Sequence, residues 1–231
     1  MTDDKEANLK LAGLSVDSGT KYQTWLWKKT GQATVKNLNK HEFDAHFANN
    51  IKEALHLVLP MIKPYETFGF GGSDTTRRLG VLPLLINAGM LVYDHWRENL
   101  TAQEDLEIRK KQGQCDCYFT SANAVSMTGE IINVDGVGNR TNAMSFGPAK
   151  VIVIAGMNKV TPDIPSALKR IREVAAPMRA KSLQMDTPCA KTGICSDCNS
   201  PQRICRITAI LHRKPLKTDI SVIMINEHLG F

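Results

Sequence analysis

The sequence predicts an α/β fold, a three-layer arrangement with a mostly parallel sheet covered by helices on both faces. Short apolar runs rich in β-branched residues, Val151-Ile152-Val153-Ile154-Ala155 above all, read as strands buried on both faces. Strand, loop and helix patterns alternate from about residue 65 onward, as parallel strands joined by crossover helices require. The chain has 231 residues, 42% of them hydrophobic and 23% charged, which suits a globular protein with a sizeable core.

Taken in order, residues 1–60 read as a helical N-terminal arm and residues 61–231 as the α/β body. Residues 15–39 carry Trp25 and Trp27 among Lys and Gln, and these rings are expected to be packing anchors. Phe43, Phe47, Ile51 and Leu55 recur at every fourth position and predict an amphipathic helix, closed by Pro60 and Pro64. Residues 65–70 form a first strand. A helix over 75–88 stops at Gly89, and a strand follows at 90–93. Thr101 and Glu104 make a capping box that opens a helix running through Lys111. Strands are predicted at 115–120, 131–134, 151–155 and 222–225, and a helix at 165–181. With no repeat and no low-complexity linker, one domain is the simplest account.

Composition narrows the function classes. Four of the first six residues are charged, and the stretch lacks the apolar core of a secretory signal. The longest weakly polar stretch, 80–93, is interrupted by Pro83, Asn87 and Gly89 and is too short to span a bilayer. A cytoplasmic protein without membrane contact is expected. The net charge of +6 is spread over short basic pairs, and aromatic residues are only 6%, too few for base-stacking platforms. Nucleic acid is therefore disfavoured as a partner. Six cysteines without an export signal point to metal or redox chemistry rather than to disulfides.

In open α/β sheets, ligands bind beyond the carboxyl ends of the strands. The polar residues at those ends are Gly71, Gly72, Ser73, Asp74 and Thr75 after the first strand, Ser121 and Asn123 after the third, Asn158 and Lys159 after the 151–155 strand, and Glu227 after the last. Of these, Gly71, Gly72, Ser73, Thr75, Asn123, Lys159 and Glu227 are the candidate ligand-binding residues. Two glycines let backbone approach an anion closely, and Ser73 and Thr75 offer donors to it; a plain connecting turn is the alternative. Asp74 stands where a dinucleotide fingerprint needs its third glycine, and no Gly-Lys-Ser/Thr occurs, so NAD and ATP motifs are missing. Glu130, Asp135 and Arg140 lie among glycines and small polar residues. They read either as a solvated hairpin turning at Asp135-Gly136 or as Arg140 clamping a carboxylate or phosphate, with Glu130 or Asp135 as the catalytic acid/base.

Together, Gly71-Gly72-Ser73-x-Thr75, Asn123-Ala-Val-x-x-Thr128-Gly-Glu130, Asp135-Gly-x-Gly-Asn139-Arg140, Gly147-Pro148 and Asn158-Lys159 resemble the lactate-utilisation (LUD) domain family, in order and over about residues 20–230. The resemblance implies a fold similar to ribose-5-phosphate isomerase, glucosamine-6-phosphate deaminase and the CoA transferases, in which Gly/Ser turns bind phosphate or carboxylate groups. It also implies a small anionic metabolite of the lactate/pyruvate kind and a place in an iron–sulfur-dependent system oxidising L-lactate. Asn139 joins the candidate ligand-binding residues on this basis. Iron–sulfur partner subunits in a hetero-complex, or a homo-oligomer, are the expected assemblies. Whether the chain is itself an oxidoreductase subunit is left open, and a non-catalytic, metal- or redox-responsive scaffold is the alternative. The chain departs from part of the family in lacking a C-x2-C-x2-C-x3-C run.

Residues 189–205 instead hold Cys189-x5-Cys195-x2-Cys198-x6-Cys205. The C-x2-C pair lets two thiolates meet one metal across a tight turn, and Cys189 and Cys205 complete a four-sulfur set. The spacing is nearer that of loosely spaced iron–sulfur sites than that of a two-knuckle zinc ribbon, so an iron–sulfur cluster is the first expectation, with zinc and unmetallated thiols as alternatives. Cys115 and Cys117, two apart on a strand, read as ordinary buried residues. The six histidines show no ligand pattern.

Overall fold

A computed structural model describes residues 18–231; the charge-rich first six residues and the start of the arm lie outside the described residues. In chain order the elements are α1 (Ser18–Lys40), β1 (Asp44–Ala48), α2 (Ile51–Ile62), β2 (Thr67–Phe70), α3 (Asp74–Arg78), α4 (Val81–Asn87), β3 (Leu91–Asp94), α5 (Ala102–Gln112), β4 (Cys117–Ser121), β5 (Ala124–Ser126), β6 (Ile131–Asp135), α6 (Asn139–Ser145), β7 (Lys150–Gly156), β8 (Val160–Thr161), α7 (Ile164–Arg170), α8 (Ala176–Ser182), α9 (Pro188–Thr192), β9 (Ile207–Leu211) and β10 (Asp219–Ile225). Six of the strands form a parallel sheet in the order β1-β10-β7-β4-β2-β3. This is the predicted α/β class.

The continuous apolar strands sit at its centre because they have two cores to fill. Every residue of β7 is buried. Val151, Val153 and Ala155 join Ile220, Val222 and Met224 under α1 and α6, while Ile152 and Ile154 join Ile223 and Ile225 under α2 and α4. Each Val, Ile or Met among them contributes about 1.5–3 kcal/mol by leaving water, so alternate residues of one strand hold both helical layers.

Several elements differ from expectation for physical reasons. The helix predicted through Phe43 and Phe47 is a strand, β1, followed by α2. A spacing of four keeps Phe43 and Phe47 on one side of an extended chain as well as of a helix, and pairing with β10 decides for the strand. The Asn50 side chain then caps α2 by accepting from the Glu53 amide at 2.9 Å, and Pro60 lies in the last turn of α2 instead of closing it. The helix predicted over 75–88 is broken at Gly80, whose φ of 78° is left-handed. The predicted 165–181 helix contains a π turn, Ile171–Ala175, in which the Ala176 amide bonds the Ile171 carbonyl. Pro177, two residues past that turn, cannot donate four residues back to Glu173, and the wider turn absorbs the defect. Trp27 packs on the core as expected, but Trp25 is 58% exposed and anchors nothing.

A second sheet, order β8-β5-β6-β9, was not foreseen. It packs Ala124 and Ile132 against Ala167 and Ile171. Its hairpin tip is the turn joining β5 to β6, where the Ser126 amide bonds the Glu130 carbonyl at 2.9 Å. Asp135-Gly136 is therefore not a hairpin turn: β6 ends at Asp135 and the chain passes into α6.

Candidate functional site

A cavity of about 330 Å³ opens beyond the carboxyl ends of β2, β4 and β7, a size suited to a small metabolite. Gly72, Ser73, Thr75, Asn123, Asp135, Asn139, Arg140 and Lys159 all line it, joined by Ser121. Loops far apart in sequence meet at one rim because parallel strands present all their carboxyl ends on one edge of the sheet. Gly71 lies just outside the lining and has a different use. A Cβ there would stand 2.7 Å from the Tyr118 hydroxyl and 3.4 Å from Arg140, so only glycine lets both side chains pass beneath the turn.

Lys159 ends a 3₁₀ turn that follows β7 and is 4% exposed. Its Nζ donates to Thr75 Oγ1 at 2.9 Å and to Ser121 Oγ at 2.8 Å. Among the described residues no carboxylate lies within ion-pair distance of it. Burial, followed by the charges of Arg170 and Arg140, lowers its pKa from 10.5 to about 7. An ammonium held only by hydroxyls gains from an anion, and a lysine poised near neutrality can exchange a proton.

Arg140 is the opposite case. Its Nε donates to Asp135 Oδ1 at 2.8 Å and its Nη2 to the Val134 carbonyl at 2.8 Å and Asn123 Oδ1 at 3.3 Å, while Nη1 reaches Asn133 Oδ1 at 3.4 Å. The other Asp135 oxygen accepts from the Thr141 amide at 2.9 Å. Guanidinium and carboxylate thus knit β6 to α6 and to the segment after β4. Little of the fork remains for a ligand, and Asp135 is held by donors rather than standing as a free base. Asn123 is similarly engaged, accepting from the Val134 amide at 2.8 Å.

Residues not foreseen complete the walls. His95 and Trp96 follow β3, and a Cβ on Gly72 would meet Trp96 Nε1 at 3.0 Å and His95 Nε2 at 3.2 Å. Burial, ahead of the nearby Arg109 charge, lowers the His95 pKa to about 4, so the ring is neutral. Its Nδ1 lies 2.8 Å from Gln112 Nε2, a donor, which assigns the proton to Nε2 beside the glycine turn. Trp96 is flanked by Arg77 and Arg179, whose guanidinium carbons lie 4.9 and 5.0 Å from its ring centre. Arg77 in turn forks onto Asp94 at 2.5 and 2.7 Å, fixing the stack. The strand-end rule applied to β3 finds His95 and Trp96; Arg109 and Arg179 reach the cavity from helices and leave no such signal.

The LUD domain profile matches residues 31–225, most of the chain, including every residue of this rim up to Lys159. The chain belongs to the LUD domain family. No curated protein matches it. Among solved structures, the LUD chain is similar to a DUF162 family protein from Deinococcus radiodurans, with 13% identity, a TM-score of 0.51, and coverage of 86% of this chain and 98% of that one. At that identity the likeness speaks for the fold alone.

Two sequence candidates of this LUD domain lie away from the cavity. Glu130, at the β5–β6 hairpin, accepts from Thr128 Oγ1 at 2.5 Å. Glu227, after β10, accepts from the Ile51 amide at 3.0 Å and so tethers the start of α2. Neither is positioned for chemistry on a molecule in the crevice.

Cys189, Cys195, Cys198 and Cys205 line a second, smaller cavity of about 20 Å³, together with Thr187, Asp197 and Arg203. All four thiols are free and partly buried. As their side chains stand, no group of three or more His, Cys, Asp or Glu among the described residues is placed to hold a metal ion. The four share thiol donor chemistry and one cavity, and their described geometry does not close around a metal ion. Cys115 and Cys117 are buried in the sheet, where burial pushes the Cys115 thiol up to about 12 and raises that of Cys117 as well. Among the described residues, no helix is long and apolar enough to cross a membrane.

Proposed function

We propose that the crevice binds a small carboxylate metabolite of the lactate/pyruvate type, with Lys159 as the charge that receives it. LUD membership supports a role related to lactate utilisation. The observation carrying the finer reading is the buried Lys159 ammonium, which touches only the Thr75 and Ser121 hydroxyls within a cavity of metabolite size. Ser73, Asn139 and the His95 Nε2–H add uncharged donors around the same space, and Trp96 with Ile171 supplies apolar wall. Lys159, poised near neutrality, is the group best placed to move a proton at a bound hydroxy- or keto-acid. Asp135 and Arg140 keep the frame in register, and Gly71 and Gly72 give the rim its close backbone approach. In this reading the chain is a ligand-binding subunit of an iron–sulfur-dependent lactate-oxidising system.

The test is thermal unfolding with lactate, pyruvate, sugar phosphates and CoA thioesters. Lactate or pyruvate at about 100 times its Kd should stabilise the fold by about 2.7 kcal/mol, a shift of several degrees. If none of these compounds raises the Tm, the crevice loses its claim. The second reading, a non-catalytic scaffold responding to metal or oxidant, is favoured by the separate cysteine-lined cavity. It would stand alone if the anion panel failed.

A further inference from the structure

The cysteine cavity and the crevice share a wall. Ala176, Ile204 and Cys205 border both. The loop carrying these last two residues rests on the rim: the Arg206 amide bonds the Asp135 carbonyl at 2.8 Å, and a Cβ on Gly136 would touch Ile204 backbone at 3.2 Å. We propose that Cys189, Cys195, Cys198 and Cys205 hold one thiolate-ligated metal centre, and that this centre fixes the wall of the anion crevice through Ile204 and Cys205. The metal half is independent of the anion reading; the coupling half rests on it.

The backbone brings all four cysteines to the lining of one cavity. Thr187 caps α9 and its hydroxyl lies 3.4 Å from Cys189 Sγ, while left-handed Gly193 ends that helix and sends the chain toward Cys195. Arg203 then ties the remaining cysteines: Nε donates to the Cys205 carbonyl at 2.9 Å, Nη1 to the Cys198 carbonyl at 2.8 Å, and Nη2 to Asp197 at 2.7 Å. Residues 193–206 are turns and irregular backbone, so inward movement of Cys195, Cys198 and Cys205 disturbs no helix or strand, while Cys189 sits on α9. Each ligating thiol releases its proton to solvent, and the resulting negative charge faces the Arg203 guanidinium. Thiolate sets of this kind take soft metals, as a tetrahedral zinc or an iron–sulfur cluster. Without the metal, the Ile204–Cys205 wall is held by hydrogen bonds, among them the Arg206 amide to the Asp135 carbonyl, and by packing on Gly136.

The experiment uses the full chain purified without oxygen, with iron, acid-labile sulfide and zinc measured per chain and an absorption spectrum recorded. Stoichiometric zinc in a colourless protein, or iron with sulfide and broad visible bands, supports the centre and names it. Cys195→Ser with Cys198→Ser should lower bound metal at least tenfold, whereas Cys117→Ser should retain it. Should the double variant not fold, stripping wild type with a chelator and reloading it gives the same readout. Metal-free protein, or full retention in the folded double variant, overturns the proposal. Pyruvate and phosphate affinity, measured on loaded and stripped wild type, should differ about fivefold or more, because coupling between sites is reciprocal. Equal affinities would refute the shared wall. Metal binding with no response to either anion would instead sink the anion reading and leave the metal centre intact.

Discussion

Of the cations that line the cavity, Arg140 and Lys159 have surroundings that could hardly differ more. Arg140, on the β6–α6 side, is matched by Asp135 and by carbonyl and amide oxygens. Lys159, beyond β7, meets only hydroxyls. Charge in a crevice is therefore a poor guide to ligand binding until its partners are counted. A satisfied charge builds the frame, and an unsatisfied one waits for something from outside.

The largest expected effect tests the frame. Arg140→Ala leaves Asp135, whose side chain is 6% exposed, without its counter-charge, and breaking such a buried pair costs about 3–5 kcal/mol. Denaturant unfolding should show that loss; a change under about 1 kcal/mol would mean that Arg140 is not a frame residue. Next comes Lys159→Met, expected to weaken pyruvate binding at least tenfold, about 1.4 kcal/mol, while the Tm stays within a few degrees. Calorimetry on the folded variant reads this, and wild-type affinity there would remove Lys159 from the site.

The pH dependence sharpens the same contrast. Binding an anion favours the ammonium, and the free protein holds that ammonium fully only below about pH 7. Affinity should thus fall as pH rises from 7 to 9, approaching about tenfold per unit, with a proton taken up on binding. For stability the sign is reversed: between about 7 and the unfolded value of 10.5 the unfolded chain binds the extra proton, so this group makes the fold more stable as pH rises. Wild type compared with Lys159→Met, in affinity and in unfolding, isolates both slopes. The smallest effect belongs to Glu130→Gln, which should leave anion affinity within about twofold, since the hairpin lies outside the cavity. A large loss there would place the hairpin in the site after all.

What the sequence made legible follows from what each level of structure needs. β7 and β10 announce themselves because a strand buried on both faces must be largely apolar, as these are apart from Lys150, Asp219 and Ser221. β1 does not, since its phenylalanine spacing suits helix and strand alike and only its neighbour β10 resolves it. β5 and β8, of three and two residues, are too short to carry a period. At the site, reading polar residues past the strand ends found Ser73, Thr75, Asn123 and Lys159, because parallel topology gathers those ends. It could not tell Arg140 from Lys159: which cation is already paired depends on contacts such as Val134 and Asn133, and these exist only once β6 is folded.

The π turn at Ile171–Ala175 sets the phase of everything after it. Each helical residue advances the chain by about 100°, so shortening that turn by one position would spin α8 nearly a third of a revolution. Arg179 would swing off the Trp96 ring, and Ala176, which stands between crevice and cysteine pocket, would face elsewhere. A local irregularity of five residues thus acts as the angular setting by which one helix serves two cavities at once.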